Sequence, residues 1–432
     1  MKPVTLARRF FFIGLIILSG YLFLELSALA LYRVINAESL PFHKIQSERT
    51  SIIEGFPQDE AFGGGTLDWG HAFEVIHPYL GFVRDPDKTP FYGRHGFYGQ
   101  NPLGQSGSDG DLTVAIFGGS FAEGMVRNAA DTLIEKLCES ESFPKNRVRV
   151  LALAMGGYKQ PQQLMTLTYF LALGVRFDLV INIDGFNELV LPWRENLPKN
   201  VFPAYPRAWF KRVRGLSDPQ VMLMVGRIAI LRERRIQWAK TFSHSPWKQS
   251  PIANSIWRLL DGRLDRKIFQ VNSEIQEYQI EREGGDSYIF TGPDYHPGSR
   301  EEFAGYLVEI WENCSRQMDR ICRANGIEYY HFLQPNQYFP GSKPMSAAER
   351  RIAVKRKHPY RKPVERGYPL LIEAGFRLRR EKINFQDLTM LFQDNDEILY
   401  ADDACHLNAR GYRLVAEEIG RFILAREEEQ SD

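Results

Sequence analysis

Cysteine is scarce in this chain: four in 432 residues, at Cys138, Cys314, Cys322 and Cys405. None forms a Cys-x-x-Cys pair or stands at a metal-ligand spacing from histidine, so neither a zinc site nor a dithiol redox motif has support. Cys314 and Cys322 fall eight residues apart on one expected helix, about 12 Å along its axis and too far for a disulfide; buried, unpaired thiols are the reading for most of the four. Charge of one sign is also missing. Lys plus Arg number 54 against 53 for Asp plus Glu, which leaves a nucleic-acid partner without electrostatic support. No internal repeat is visible, which argues against a solenoid.

What the chain does have begins with Phe10 to Leu31, a nearly continuous apolar run of 22 residues broken by Gly14, Ser19, Gly20, Glu25 and Ser27. A bilayer needs about 20 apolar residues. Lys2, Arg8 and Arg9 precede the run, so the positive-inside tendency places the N-terminus in the cytoplasm and the rest of the chain outside, periplasmic or extracellular. Ala28-Leu29-Ala30 also resembles a cleavage site, leaving a secreted protein as the alternative. The run is long for a signal peptide, and a retained anchor over residues 1–35 is the expectation.

Residues 36–110 are rich in Gly, Pro and aromatics and read as an extended or β-rich lead-in. The character then changes. "LTVAIFGG", "RVRVLALAMGG" and "FDLVINIDG" are short buried-type strands separated by helical stretches, the pattern of a doubly wound parallel α/β sheet. We expect the first part of that domain over 111–190 and the second over 301–432, where "IEYYHFLQPN" supplies a fourth strand and "EILY" a short last one ahead of a terminal helix. Between them, 191–300 reads as a mostly helical insertion. Nine basic residues lie from Arg207 to Lys240 against Asp218 and Glu233, and Trp209, Trp238, Trp247 and Trp257 fall in the same stretch. Such helices can lie on an anionic membrane or polymer, or be a solvated insertion with inward-facing tryptophans. A second basic run, Lys355 to Arg366, is expected on the surface.

In an open α/β sheet the working residues gather at the carboxyl ends of the strands. Ser120, Gly157 and Asn187 all fall there. Alone, Ser120 is as readily a helix cap, Gly157 a turn residue and Asn187 a cap. A serine hydroxyl becomes a nucleophile when an imidazole takes its proton and a carboxylate fixes the imidazole's tautomer. "DDACHLNARG" offers His406 with Asp403 three residues before it, within one turn. The amides of Ser120 and Gly157 and the side chain of Asn187 can then serve as oxyanion donors. His331 and Gln334 in "HFLQPN" are further candidates for the pocket. "GGSFAEG" lacks the Gly-Lys-Ser/Thr ending of a phosphate loop, and no cofactor or metal is called for.

Together, "GGSFAEG", "GGY", "GFNE" and "DDACH" resemble, in order, the four blocks of the SGNH hydrolase superfamily, the GDSL-type esterases. "HGFYGQ" and "HLNARGY" are similar to recurring segments of its membrane-anchored bacterial branch. The resemblance covers Arg94 to Leu189 and Ile327 to Leu424. It implies a three-layer flavodoxin-like fold, Ser120 as nucleophile, His406 as base, Asp403 as its carboxylate, and an oxyanion hole of Ser120, Gly157 and Asn187. Two positions depart from the blocks: Gly119 stands in place of the Asp before the serine and Glu188 in place of the Asp after the asparagine, neither a proton carrier nor an oxyanion donor. The expected substrate is an ester, carried on an envelope polysaccharide or a lipid. An O-acyltransferase, a lipase or lysophospholipase with the insertion as lid, and an inactive polysaccharide-binding domain are the alternatives.

Overall fold

The computed structural model describes residues 6–36, 42–54, 73–99, 101–103, 111–144, 147–214, 219–281, 288–355 and 357–431. In chain order the helices are α1 (Leu6–Asn36), α2 (Phe42–Glu54), α3 (Ser120–Leu137), α4 (Gln162–Ala172), α5 (Phe186–Leu191), α6 (Trp209–Arg214), α7 (Pro219–Ser243), α8 (Pro251–Glu281), α9 (Tyr288–Thr291), α10 (Arg300–Ala324), α11 (Ala347–Ala353), α12 (Arg361–Arg380) and α13 (Ala409–Ser431). The strands are β1 (Glu74–His77), β2 (Gly81–Arg84), β3 (Leu112–Gly118), β4 (Val148–Ala154), β5 (Leu179–Asp184), β6 (Glu328–Leu333) and β7 (Asn384–Asp387).

The chain forms two compact units. The larger is built on a five-stranded, all-parallel sheet in the order β4-β3-β5-β6-β7, the flavodoxin-like arrangement with its switch point between β3 and β5. Period-2 alternation shows why this sheet is buried on both faces. Val114 and Ile116 of β3 enter one core with Phe121, Leu133, Tyr412 and Ile419 of α3 and α13. Ala115 and Phe117 enter the other, with Phe170, Leu189, Trp311 and Leu371 from the helices opposite. In α10, Phe303, Leu307, Trp311, Met318 and Cys322 recur at helical spacing and are buried, while Ser299 caps its start by accepting from the Glu302 amide at 3.0 Å.

Three expectations are corrected. The lead-in is not extended throughout, since Phe42–Glu54 is helical, although Glu74–His77 and Gly81–Arg84 do pair as an antiparallel hairpin; residues 55–72 and 104–110 lie outside the described residues. "EILY" is not the last strand. That place belongs to Asn384–Asp387, whose polar sequence buries fully only Phe385 and so carries almost no hydrophobic signal, while Tyr400 makes one isolated antiparallel bridge to Leu407.

The third correction concerns the insertion. Asp218–Gly284 groups with the N-terminal residues in the smaller unit, whereas the flanks of 191–300 belong to the larger one. Within the smaller unit α7 and α8 form a hairpin against α1 and α2. Its core is Ile45, Ala239 and Trp257, with Leu29 and Phe242 beside them. The Arg49 guanidinium lies 4.8 Å from the Phe242 ring centroid and donates to Asn254 Oδ1 at 2.7 Å. Of the four tryptophans in question, Trp257 is buried, whereas Trp238 and Trp247 are exposed.

Candidate active site

The apolar β3 ends at Gly118, Gly119 caps α3 with its backbone alone, and Ser120 is the first helical residue. Ser120 is therefore not the cap. Its Oγ instead meets His406 Nε2 at 2.8 Å, across 286 residues of sequence. The helix start places unpaired amide dipoles under this oxygen, an arrangement that favours developing negative charge.

On the other side of the imidazole, Nδ1 is held by Asp402, not by Asp403 as the three-residue spacing predicts. The reason is local. Asp402 is fully buried, and its Oδ1 accepts the amides of Ala404, Cys405 and His406 at 2.9, 3.1 and 3.1 Å. Three amides on one oxygen pin the carboxylate beneath the turn and leave Oδ2 for the ring. Asp403 faces the opposite way, forming an ion pair with Lys355 and lying 3.7 Å from His358 Nε2. A four-residue separation is invisible to a motif search keyed to three.

Gly157 and Asn187, the residues expected as oxyanion donors, follow β4 and β5 at the carboxyl end of the sheet. Gly157 has φ +82°, a conformation costly for a side-chain-bearing residue, and an added Cβ would stand 2.8 Å from Arg207 Cδ. Gly156 beside it lies against Ser120, an added Cβ falling 3.9 Å from Ser120 Cβ. Asn187, in the first turn of α5, donates from Nδ2 to the Tyr158 carbonyl at 2.8 Å. That Nδ2 lies only 2.2 Å from where a Cβ on Gly119 would stand. Gly119 is thus required for the asparagine's approach, which gives the departure at this position a physical reason. Glu188, the other departure, accepts from the amides of Gly185 at 2.7 Å and Gln160 at 3.2 Å and from Gln163 Nε2 at 3.0 Å, bracing the β5–α5 turn. Burial, reinforced by Asp184, pushes its carboxyl up to about 8.

Residues outside the four motif blocks support this arrangement. Glu123, one turn into α3, accepts the Gly156 amide at 3.1 Å and the Tyr92 hydroxyl at 2.5 Å, tying the glycine turn and the lead-in to the helix that begins at Ser120. The signal in "GGSFAEG" was its buried acid, three residues after the serine and hence on the same helix face. Lys159 is buried, holds the carbonyls of Pro203 and Tyr205, and is lowered to about 7 by desolvation. It fixes the segment from which Arg207, paired with Glu195 at 3.1 Å, reaches Gly157.

His331 and Gln334 do not line the site. His331 is fully buried, with Nε2 2.9 Å from Asp184 Oδ1 and Nδ1 2.8 Å from Ser315 Oγ. This second Ser-His-Asp chain is sealed in the core and further tied by Trp311 Nε1 to Asp184 at 2.6 Å. Gln334 is buried too, its backbone N–H donating to the Asp184 carbonyl. The four thiols are unpaired, and among the described residues no group of three metal-ligand side chains comes together.

The fold and site define a class: a doubly wound α/β protein with an accessible Ser-His-Asp chain at the switch point of its sheet. No family model and no curated protein matches the chain. Among solved structures it is similar to a GDSL-like lipase from Bacteroides thetaiotaomicron (10% identity, 74% of this chain and 92% of that one, TM-score 0.34). It is also similar to an acetyl xylan esterase (12%, 71% and 98%, TM-score 0.32) and a lipase from a goat rumen metagenome (11%, 72% and 97%, TM-score 0.33). These TM-scores are too low to carry functional weight, which rests on the side chains.

Proposed function

We propose that the protein is an SGNH-type serine ester hydrolase, anchored in a membrane by α1 and acting on an O-acyl ester in the cell envelope. The observation that carries the reading is the continuous chain from Ser120 Oγ through His406 to the buried Asp402. Ser120 attacks the ester carbonyl as its proton passes to His406 Nε2. The amides of Ser120 and Gly157 and the side chain of Asn187 stabilise the oxyanion. His406 then gives its proton to the leaving alkoxide, and water, activated by the same imidazole, releases the acid and restores Ser120. Asp402 holds the ring throughout.

A polysaccharide ester fits a domain held outside a bilayer, and α1 supports that placement: Phe10–Ala30 is apolar, 21 residues long and almost wholly exposed. An inactive binding domain has no use for so complete a proton relay. Turnover of short-chain aryl esters by the full chain tests the reading. Hydrolysis abolished by Ser120→Ala and His406→Ala is the expected result; turnover that survives both substitutions refutes it.

A further inference from the structure

Every side chain from Phe10 to Leu24 is exposed, Phe23 at 70% and Leu15 at 47% among them. At Glu25 the helix changes character. Glu25 is only 8% exposed; its carboxylate accepts from Ser250 Oγ at 2.5 Å and from the Ile252 amide at 3.1 Å, at the start of α8. One turn further on, Leu29 joins the core around Trp257. The α7–α8 turn is thereby pinned beside the middle of α1. Its Trp247 is 55% exposed, with its ring 5.8 Å from that of Tyr21.

From these contacts we infer that the α7–α8 turn rests in the lipid–water interface of the outer leaflet, with Trp247 and Tyr21 at headgroup level and phospholipid as the partner. The inference rests on the reading of α1 as a bilayer span, and it moves that span's outer boundary inward from Ala30 to the Tyr21–Glu25 turn. The apolar part of the span then runs from Phe10 to Leu24, 15 residues or about 22 Å at 1.5 Å per residue, with Arg8 and Arg9 at its inner edge; it is shorter than a hydrocarbon core of about 30 Å, a mismatch that local thinning of the bilayer accommodates. Chemistry supports the placement. Tryptophan and tyrosine favour the interface, where the ring is apolar and its polar edge stays wet. A carboxylate is costly in hydrocarbon, and Glu25 sits where the apolar run gives way to hydrogen-bond donors and the positive end of a 31-residue helix. From Ile236 to Ser250 the chain carries Lys240, His244 and Lys248 and no acid, which suits anionic headgroups. Helix α1 itself contains no tryptophan, so tryptophan emission reports only on the rest of the protein.

The test reconstitutes the full chain in vesicles of phosphatidylcholine and phosphatidylglycerol whose acyl chains are brominated near the headgroup. Bromine should quench part of the tryptophan emission, and Trp247→Phe should remove most of that quenching while the chain stays resistant to alkaline carbonate extraction. Retention in the vesicles with quenching unchanged by Trp247→Phe overturns the interfacial turn alone. Extraction by carbonate overturns the anchor and the turn together, yet leaves aryl ester turnover, and so the esterase reading, standing.

Discussion

His406 takes its carboxylate from Asp402, four residues before it, and turns away from Asp403, three residues before it. Both aspartates are buried, and what separates them is the amide nest under Asp402. The two substitutions therefore part company. Asp402→Asn should lower kcat by about 10³–10⁴, because the amide no longer holds the productive tautomer. Asp403→Asn should leave kcat far less affected, with its cost showing in thermal stability as the contacts to Lys355 and His358 go. Parallel kinetics and melting of the two variants decide the assignment, and a greater kcat loss in Asp403→Asn reverses it.

Asn187→Ala should reduce kcat by about 10²–10³ with little change in KM, the loss expected when an oxyanion donor is removed. An effect confined to KM would place Asn187 in ground-state binding instead.

In the proposed mechanism Glu123 acts through the Gly156–Gly157 turn, whose Gly156 amide it accepts from, and is a positioning residue. Glu123→Ala should cost kcat on the order of 10-fold to 10²-fold, since a donor about 1 Å out of place is poorly used. Glu123→Gln, which keeps an acceptor for the Gly156 amide, should recover most of the loss. A melting temperature that falls equally in both variants while kcat holds would reduce Glu123 to a packing role.

Glu188 should leave a mark on pH-dependent stability. Its folded pKa, about 8, lies above the ordinary carboxyl value of 4.5, so the folded state keeps a proton that the unfolded chain gives up. That contribution is fully present below the unfolded value and is lost as pH rises through the folded one. Glu188→Gln does not ionise, so its melting temperature relative to the parent should rise steadily between pH 5 and pH 9. A difference that stays flat would show that Glu188 ionises in the fold as it does in water.

The sheet was legible wherever burial on both faces wrote itself as an apolar run, as in "LTVAIFGG" and "FDLVINIDG". It was illegible at Asn384–Asp387, a polar edge strand with one fully buried side chain. Ser120, Gly157, Asn187 and His406 could be expected at one end of the sheet because strand ends in this fold point one way. The choice between Asp402 and Asp403 could not, since it depends on which carboxylate collects three amides, a matter of turn geometry rather than residue type. Glu123 escaped notice for a related reason: it accepts from the backbone amide of Gly156, and backbone donors leave no trace in composition, while Tyr92 meets the same carboxylate from 31 residues away. His331 was misplaced because a strand-end histidine also packs inward when the neighbouring strand offers a buried carboxylate, here Asp184.

The most direct measurement is covalent. A serine-reactive fluorophosphonate incubated with the full chain, followed by peptide mass mapping, should leave one adduct, on Ser120, formed at a rate that falls sharply in His406→Ala and in Asp402→Asn. No adduct at Ser120, or labelling that proceeds unchanged without His406, would contradict the account at its centre.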